Sequence, residues 1–117
     1  MSAAVRELFA NAASSVEGIT GFPYYTQTTR PGHAYVRLDR VEYPNAFGGM
    51  AYWQVIVIAP QSIDGMERFI EKNSKPLHEA LSEHMTIQTM SPQQISLPND
   101  SKSSYFALII SGYREEE

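Results

Sequence analysis

The side chains of this chain that could do chemistry are few, and their spacing does not suit them to it. His78-Glu79 and Glu83-His84 offer imidazoles and carboxylates, but the two histidines stand six positions apart. A helix that presents two imidazoles to one zinc ion needs them four apart, so a solvated helix face is the better reading of this segment. Ser14-Ser15, Ser103-Ser104 and Ser111-Gly112 lack the flanking residues of a nucleophile elbow, and His33 has no acid partner evident in the sequence. No Walker-type loop and no GxGxxG is present, and Gly48-Gly49 reads as turn chemistry in a hairpin. With no cysteine, disulfides, thiolate nucleophiles and cysteine-ligated zinc are out of reach. The expectation is a chain with no catalytic residue, no metal and no cofactor.

Charge and size bound what else it could be. The 117 residues carry no low-complexity break, which favours one domain over residues 1–117. Thirteen acidic against nine basic side chains give a net charge of -4, whereas binding along a phosphate backbone needs clustered Lys and Arg. Arg30, Arg37 and Arg40 come nearest to a cluster, but Asp39 and Glu42 are interleaved with them, as on a solvated or ion-paired strand face. Met1 to Val16 shows neither a basic leader nor a continuous apolar stretch. No run approaches the roughly 18–20 apolar residues that cross a bilayer. The expected product is soluble and made in the cytoplasm.

The elements that must position these side chains follow from periodicity. Val5, Leu8, Phe9, Ala12 and Val16 recur at helical spacing, with Ser2 as a cap and Gly18 as a stop. Gly18 to Gly32, interrupted by Pro23 and Pro31, reads as an extended loop. Ala34 to Tyr43 alternates as a strand whose pattern slips beyond Arg40, where either a bulge restores the register or the strand simply ends. Tyr43 to Met50 is a hairpin connection, with Gly48-Gly49 suited to positive φ, and Tyr52 to Ala59 is its partner strand. Beyond Pro60, Ser62 caps a helix carrying Met66, Phe69, Ile70, Leu77 and Leu81, which Pro76 either kinks or divides, with Asn73 or Ser74 as the new cap. Thr86 to Leu97, containing Pro92, reads as an edge strand, Pro98-Asn99-Asp100 as a turn, Ser104 to Tyr113 as the last strand and Glu115 to Glu117 as a frayed tail. The fold class expected is α+β: a four-stranded, mainly antiparallel sheet in the order α-β-β-α-β-β, with helices packed on one face.

That arrangement leaves an apolar surplus. One strand puts Trp53, Val55 and Val57 on one side and Tyr52, Ile56 and Ile58 on the other. The last strand puts Phe106, Leu108 and Ile110 on one side and Tyr105, Ala107, Ile109 and Tyr113 on the other, so a second apolar surface has no obvious intrachain cover. Either a partner buries it, or the Gly18 to Gly32 loop folds back with Phe22, Tyr24 and Tyr25 as cover. If those tyrosines point outward instead, Tyr24 and Tyr25 are candidate interface anchors.

The run Arg30-Pro31-Gly32, Tyr35 through Arg40, Tyr43-Pro44-Asn45, Phe47-Gly48-Gly49 and Trp53-Gln54-Val55, followed by a helix and a hydrophobic last strand, resembles the tail-terminator (tail-completion) proteins of long-tailed bacteriophages. The resemblance implies a structural, non-enzymatic virion protein. Its subunits would form a hexameric ring at the head-proximal end of the tail tube, stop tube polymerisation and present a surface to the head-tail connector. The implied partners are further copies of itself, the major tail tube protein and the connector, with DNA passing through the channel without specific binding. Candidate ring or tube contacts are Arg30, Arg37, Asp39, Arg40 and Glu42, together with Asn45, Phe47, Gly48 and Gly49 in the hairpin. The alternatives are a head-to-tail connector or head-completion protein of the neck and, from another class, a small ligand-binding module or enzyme.

Overall fold

The computed structural model describes residues 3–25, 30–45, 48–97 and 100–115. Helix α1 (Ala3–Ser14) leads into strands β1 (Thr20–Phe22), β2 (His33–Asn45) and β3 (Gly48–Ile58), then helix α2 (Ile63–Leu81) and strands β4 (Thr86–Leu97) and β5 (Asp100–Glu115). The strands form one sheet in the order β1-β2-β3-β5-β4, with β1 parallel to β2 and every other pair antiparallel. The α+β class stands, but the expected four-stranded, α-β-β-α-β-β arrangement is corrected to a five-stranded mixed sheet.

The extra strand arises inside the segment read as a loop. Gly18 (φ 83°) turns the chain out of α1, and Gly32 (φ 91°) turns it into β2. Between them Thr20 donates to the Gly32 carbonyl at 2.9 Å and Gly32 donates to the Ile58 carbonyl at 2.8 Å. A Cβ on Gly21 would sit 2.1 Å from the Ala10 carbonyl oxygen, so only glycine lets α1 lie this close to β1. Three residues are too few to show a period, which is why alternation gave no sign of this strand.

The second helix is single. Ser62 caps it by accepting from the Gly65 amide at 3.1 Å, and the helix continues through Pro76 to Leu81. Asn73 and Ser74 are therefore not caps; their side chains donate back to the Phe69 and Ile70 carbonyls. Leu77 and Leu81 beyond the proline are fully buried. Burying two leucines at about 1.5–3 kcal/mol each offsets the ~3 kcal/mol cost of an interior proline.

Both helices pack on one face of the sheet. Phe9 and Ala13 of α1 and Leu77 and Leu81 of α2 meet Val36, Trp53, Val55, Val57, Leu108 and Ile110 in the larger core. Of the two readings near Arg40, the bulge is the one present and the strand does not end there: Leu38 lies opposite Trp53 and Arg40 opposite Tyr52, leaving Asp39 as the extra residue. Its effect is to return Val41 to the helix side, where it packs against the core with Leu38.

The opposite face carries its own core of Tyr35, Ile56, Ile58, Ala107 and Ile109. Phe22 and Tyr25 fold over it, Phe22 stacking on Tyr35 with ring centroids 5.8 Å apart and Tyr25 lying tilted against it at 5.0 Å, and Ile95 and Tyr105 also pack against it. The reading that something outside the chain buries this surface is thus corrected in favour of the alternative, a folded-back loop, with Phe22 and Tyr25 as cover and Tyr24 taking no part in it. Pro92 interrupts nothing: β4 pairs with β5 through Ser91, Pro92 and Gln93, as an edge strand can when the missing N–H faces outward. Glu115, read as tail, is the last residue of β5 and pairs with Met50, while Glu116 and Glu117 lie outside the described residues, as do Ser2, Pro98 and Asn99.

Where β3 ends, a side chain takes over its pairing. The Gln61 amide accepts from the Phe106 N–H at 2.9 Å and donates to the Phe106 carbonyl at 3.2 Å, just as a strand residue would. Beyond this point β4 and β5 continue as a two-stranded arm.

Candidate functional site: the open half of the sheet face

The face opposite the helices is covered at one end only. Along β3 the inward-facing series on that side runs Ile58, Ile56, Gln54, Tyr52, so apolar residues give way to polar and aromatic ones halfway along the strand. Strand register carries the change across the sheet. One row aligns Arg37, Gln54, Ser111 and Thr89, and the next aligns Arg40, Tyr52, Tyr113 and Thr86. Arg37, Arg40, Thr86 and Thr89 are exposed and the residues between them are half-buried.

Arg40 is held from three sides. Its Nη1 donates to Asp39 Oδ2 at 2.6 Å, its Nε donates to Glu42 Oε1 at 2.8 Å, and its guanidinium carbon lies 3.9 Å from the centroid of the Tyr52 ring. The bulge makes this possible by turning Arg40 and Glu42 to the same side as Tyr52. The hydrogen bond from Arg40 lowers the Glu42 pKa below its ordinary 4.5, and the bonds to Glu42 and Asp39 raise that of Arg40. Exposed ion pairs of this kind add little to stability. What the three contacts do is place the guanidinium over the Tyr52 ring with its N–H groups turned to the two carboxylates. Tyr52 also meets Tyr113 across the strands, ring centroids 5.8 Å apart.

Arg37, one row further in, makes no ion pair among the described residues. The patch therefore presents one answered and one unanswered guanidinium, two phenol rings and a carboxamide. Such a set suits protein contact, since Tyr and Arg are the side chains most enriched at interface anchors.

The other candidates are placed elsewhere. Tyr24, 55% exposed, lies on the helix side beneath Arg6, whose guanidinium is 4.3 Å from its ring centroid. Arg6 in turn donates to the carbonyls of Pro23 and Val36, both at 3.0 Å, and so ties α1 to the loop and to the edge of β2. Tyr25 is cover for the second core and not an outward anchor. Arg30 is exposed before β2, its carbonyl accepting from the His33 amide at 3.0 Å, far from the patch along the strand. Asn45 pairs with Gly48 at the end of the β2–β3 ladder, and Phe47 lies outside the described residues. Gly48 and Gly49 begin β3 and do not adopt positive φ, so the turn role expected of them is corrected.

Of the four charged residues expected on one strand, the structure gathers all four, and it adds Gln54, Tyr52 and Tyr113, which were passed over as contacts. The signal was available: Gln54 is the polar residue in an otherwise apolar series, and Tyr52 and Tyr113 end their series with hydroxyl-bearing rings. His33, by contrast, lies edge-on to Phe22 at 5.0 Å within the aromatic cover. Shallow grooves beside α2 are lined by Glu17, Lys72, Asn73 and Glu79 on one side and by Glu83, His84, Tyr113 and Arg114 at its end, and neither includes His33 or His78. Among the described residues no three His, Asp or Glu side chains gather as a metal site would require, and no helix is long and apolar enough to cross a membrane. The chain matches no model of a known protein family and no curated protein.

Proposed function

We propose that this chain is a structural subunit that closes the head-proximal end of a long-tailed phage's tail tube as a ring, stopping tube growth and joining the tail to the head connector. The observation that carries this reading is the patch around Arg40: a polar, aromatic sheet surface in which Asp39, Glu42 and Tyr52 all contact Arg40, left open while the apolar cluster at the other end of the same face is covered. Arg and Tyr side chains that already contact one another have less conformational entropy to lose on docking, and an assembly subunit that must bind in one pose gains from that. The charged β2 segment that bears the resemblance to tail terminators is the segment that forms this patch. The patch also revises where the drive for assembly lies. Since the second core is buried within the chain, association rests on polar and aromatic contacts and not on a bare apolar face.

Electron microscopy of a lysate in which the gene is inactivated tests the reading. Overlong, headless tails are the expected result, because tube growth has lost its stop. Normal tails beside filled, tailless heads would assign the chain to the connector instead, and intact infectious particles would overturn an assembly role altogether.

A further inference from the structure

We infer that the open half of the sheet face binds the solvent side of α2 in a second copy of this chain, so that copies join face to back. The inference deepens the ring reading above and rests on it. Three observations support it.

The first is the layering. Both helices lie on one side of the sheet and the Arg37, Tyr52, Gln54 and Tyr113 patch lies on the other, so each subunit carries the two surfaces back to back. A contact between unlike surfaces is heterologous, and repeated through identical copies it generates a ring when the rotation closes. A contact of the patch with itself would be two-fold and would stop at a dimer.

The second is charge. Arg37 is exposed and without an ion pair among the described residues. On α2, Glu67 and Glu71 are also exposed and without ion pairs among the described residues, while the neighbouring Asp64 is engaged by Arg68 at 3.3 Å. Two carboxylates four residues apart on a helix repel one another, and a cation placed between them relieves that repulsion. Arg37 of a second copy supplies one, and its fork can bond both carboxylates.

The third is shape. The four long strands span about 15 Å at ~4.8 Å spacing, and the 19 residues of α2 run about 28 Å at ~1.5 Å per residue. A helix laid across the patch therefore contacts both rows, and Tyr52 and Tyr113 offer flat rings against which its aliphatic stems pack.

The absence of native cysteine makes the contact directly testable in the full chain. Gln54→Cys, beside Arg37 on the patch, and Lys75→Cys, one turn past Glu71 on α2, are prepared separately and treated with a short bismaleimide, alone and mixed. Cross-linked dimers in the mixture, with little in either variant alone, are expected. Adding Arg37→Glu to the Gln54→Cys chain should lower the cross-linked fraction by about tenfold, and Glu67→Lys with Glu71→Lys in the Lys75→Cys partner should restore it. Arg37 is exposed, so an unchanged melting temperature for Arg37→Glu shows that the loss is not unfolding. Cross-linking of Gln54→Cys with itself, or none in the mixture at millimolar chain, overturns the inference. Its failure is separable from failure of the ring reading: no cross-link together with overlong tails on gene inactivation sinks this contact and leaves the terminator role standing.

Discussion

Two halves of one sheet face follow opposite rules. At one end Tyr35, Ile56, Ile58, Ala107 and Ile109 form a core under Phe22 and Tyr25; at the other, the same strands on the same side present Arg37, Arg40, Tyr52, Gln54 and Tyr113 to solvent. Backbone, pairing and alternation are shared. The halves differ in residue type and in whether the chain between α1 and β2 reaches over them. The lesson is that an apolar series on the far side of a sheet marks a partner only after local chain has been ruled out as cover, and that the candidate surface begins where the apolar series stops.

The comparison breaks most visibly if a residue is removed from each half. Ile56→Ala in the covered half should cost about 2–4 kcal/mol in urea denaturation, whereas Gln54→Ala, two residues along, should stay within roughly 0.5 kcal/mol. Equal losses would mean that both halves are core. Gly21→Ala tests the geometry that delivers the cover: a Cβ 2.1 Å from a backbone carbonyl forces α1 away from β1, and the expected loss is about 1–3 kcal/mol with increased binding of a hydrophobic dye. A neutral result would show that the loop does not depend on this approach. Gln61→Ala should cost about 1–2 kcal/mol by removing two hydrogen bonds to Phe106, with faster amide exchange at Phe106 as the local readout.

The smallest expected effect is a pH dependence confined to the open half. Because the Glu42 pKa is lowered in the folded chain by its hydrogen bond from Arg40, the pair's contribution is present above the ordinary value of 4.5 and is lost as pH falls through the depressed folded value. Chemical shifts of the Tyr52 ring should follow that acid titration while those of Tyr35 stay still. A Glu42→Gln chain should abolish the Tyr52 response, and a titration of equal size at Tyr35 would erase the distinction between the halves.

Much of this was legible in the chain, for identifiable reasons. Long periodic segments announced both helices and the four long strands, while the slip in alternation at Arg40 left a bulge and a strand end as equal readings, which only pairing with β3 separates. Strand β1 was not legible because three residues carry no period and its place depends on Gly21 meeting Ala10, a contact between backbones. The continuity of α2 was not legible either, because Pro76 acts locally while the burial of Leu77 and Leu81 that offsets it is tertiary. For the site, the charged residues of β2 were visible in sequence. Their assembly with Tyr52, Gln54 and Tyr113 depends on register across three strands, which alternation within any one strand does not specify.

The single extra residue at Asp39 also sets a rule for change in this strand. Deleting it would close the bulge into regular alternation, with Arg40 still opposite Tyr52 and Val41 still opposite Ala51, and would take from Arg40 only the Asp39 carboxylate. A second deletion between Leu38 and Glu42 would have no extra residue left to absorb it and would carry Glu42 to the helix face, so β2 has room here to shorten by one residue and no more.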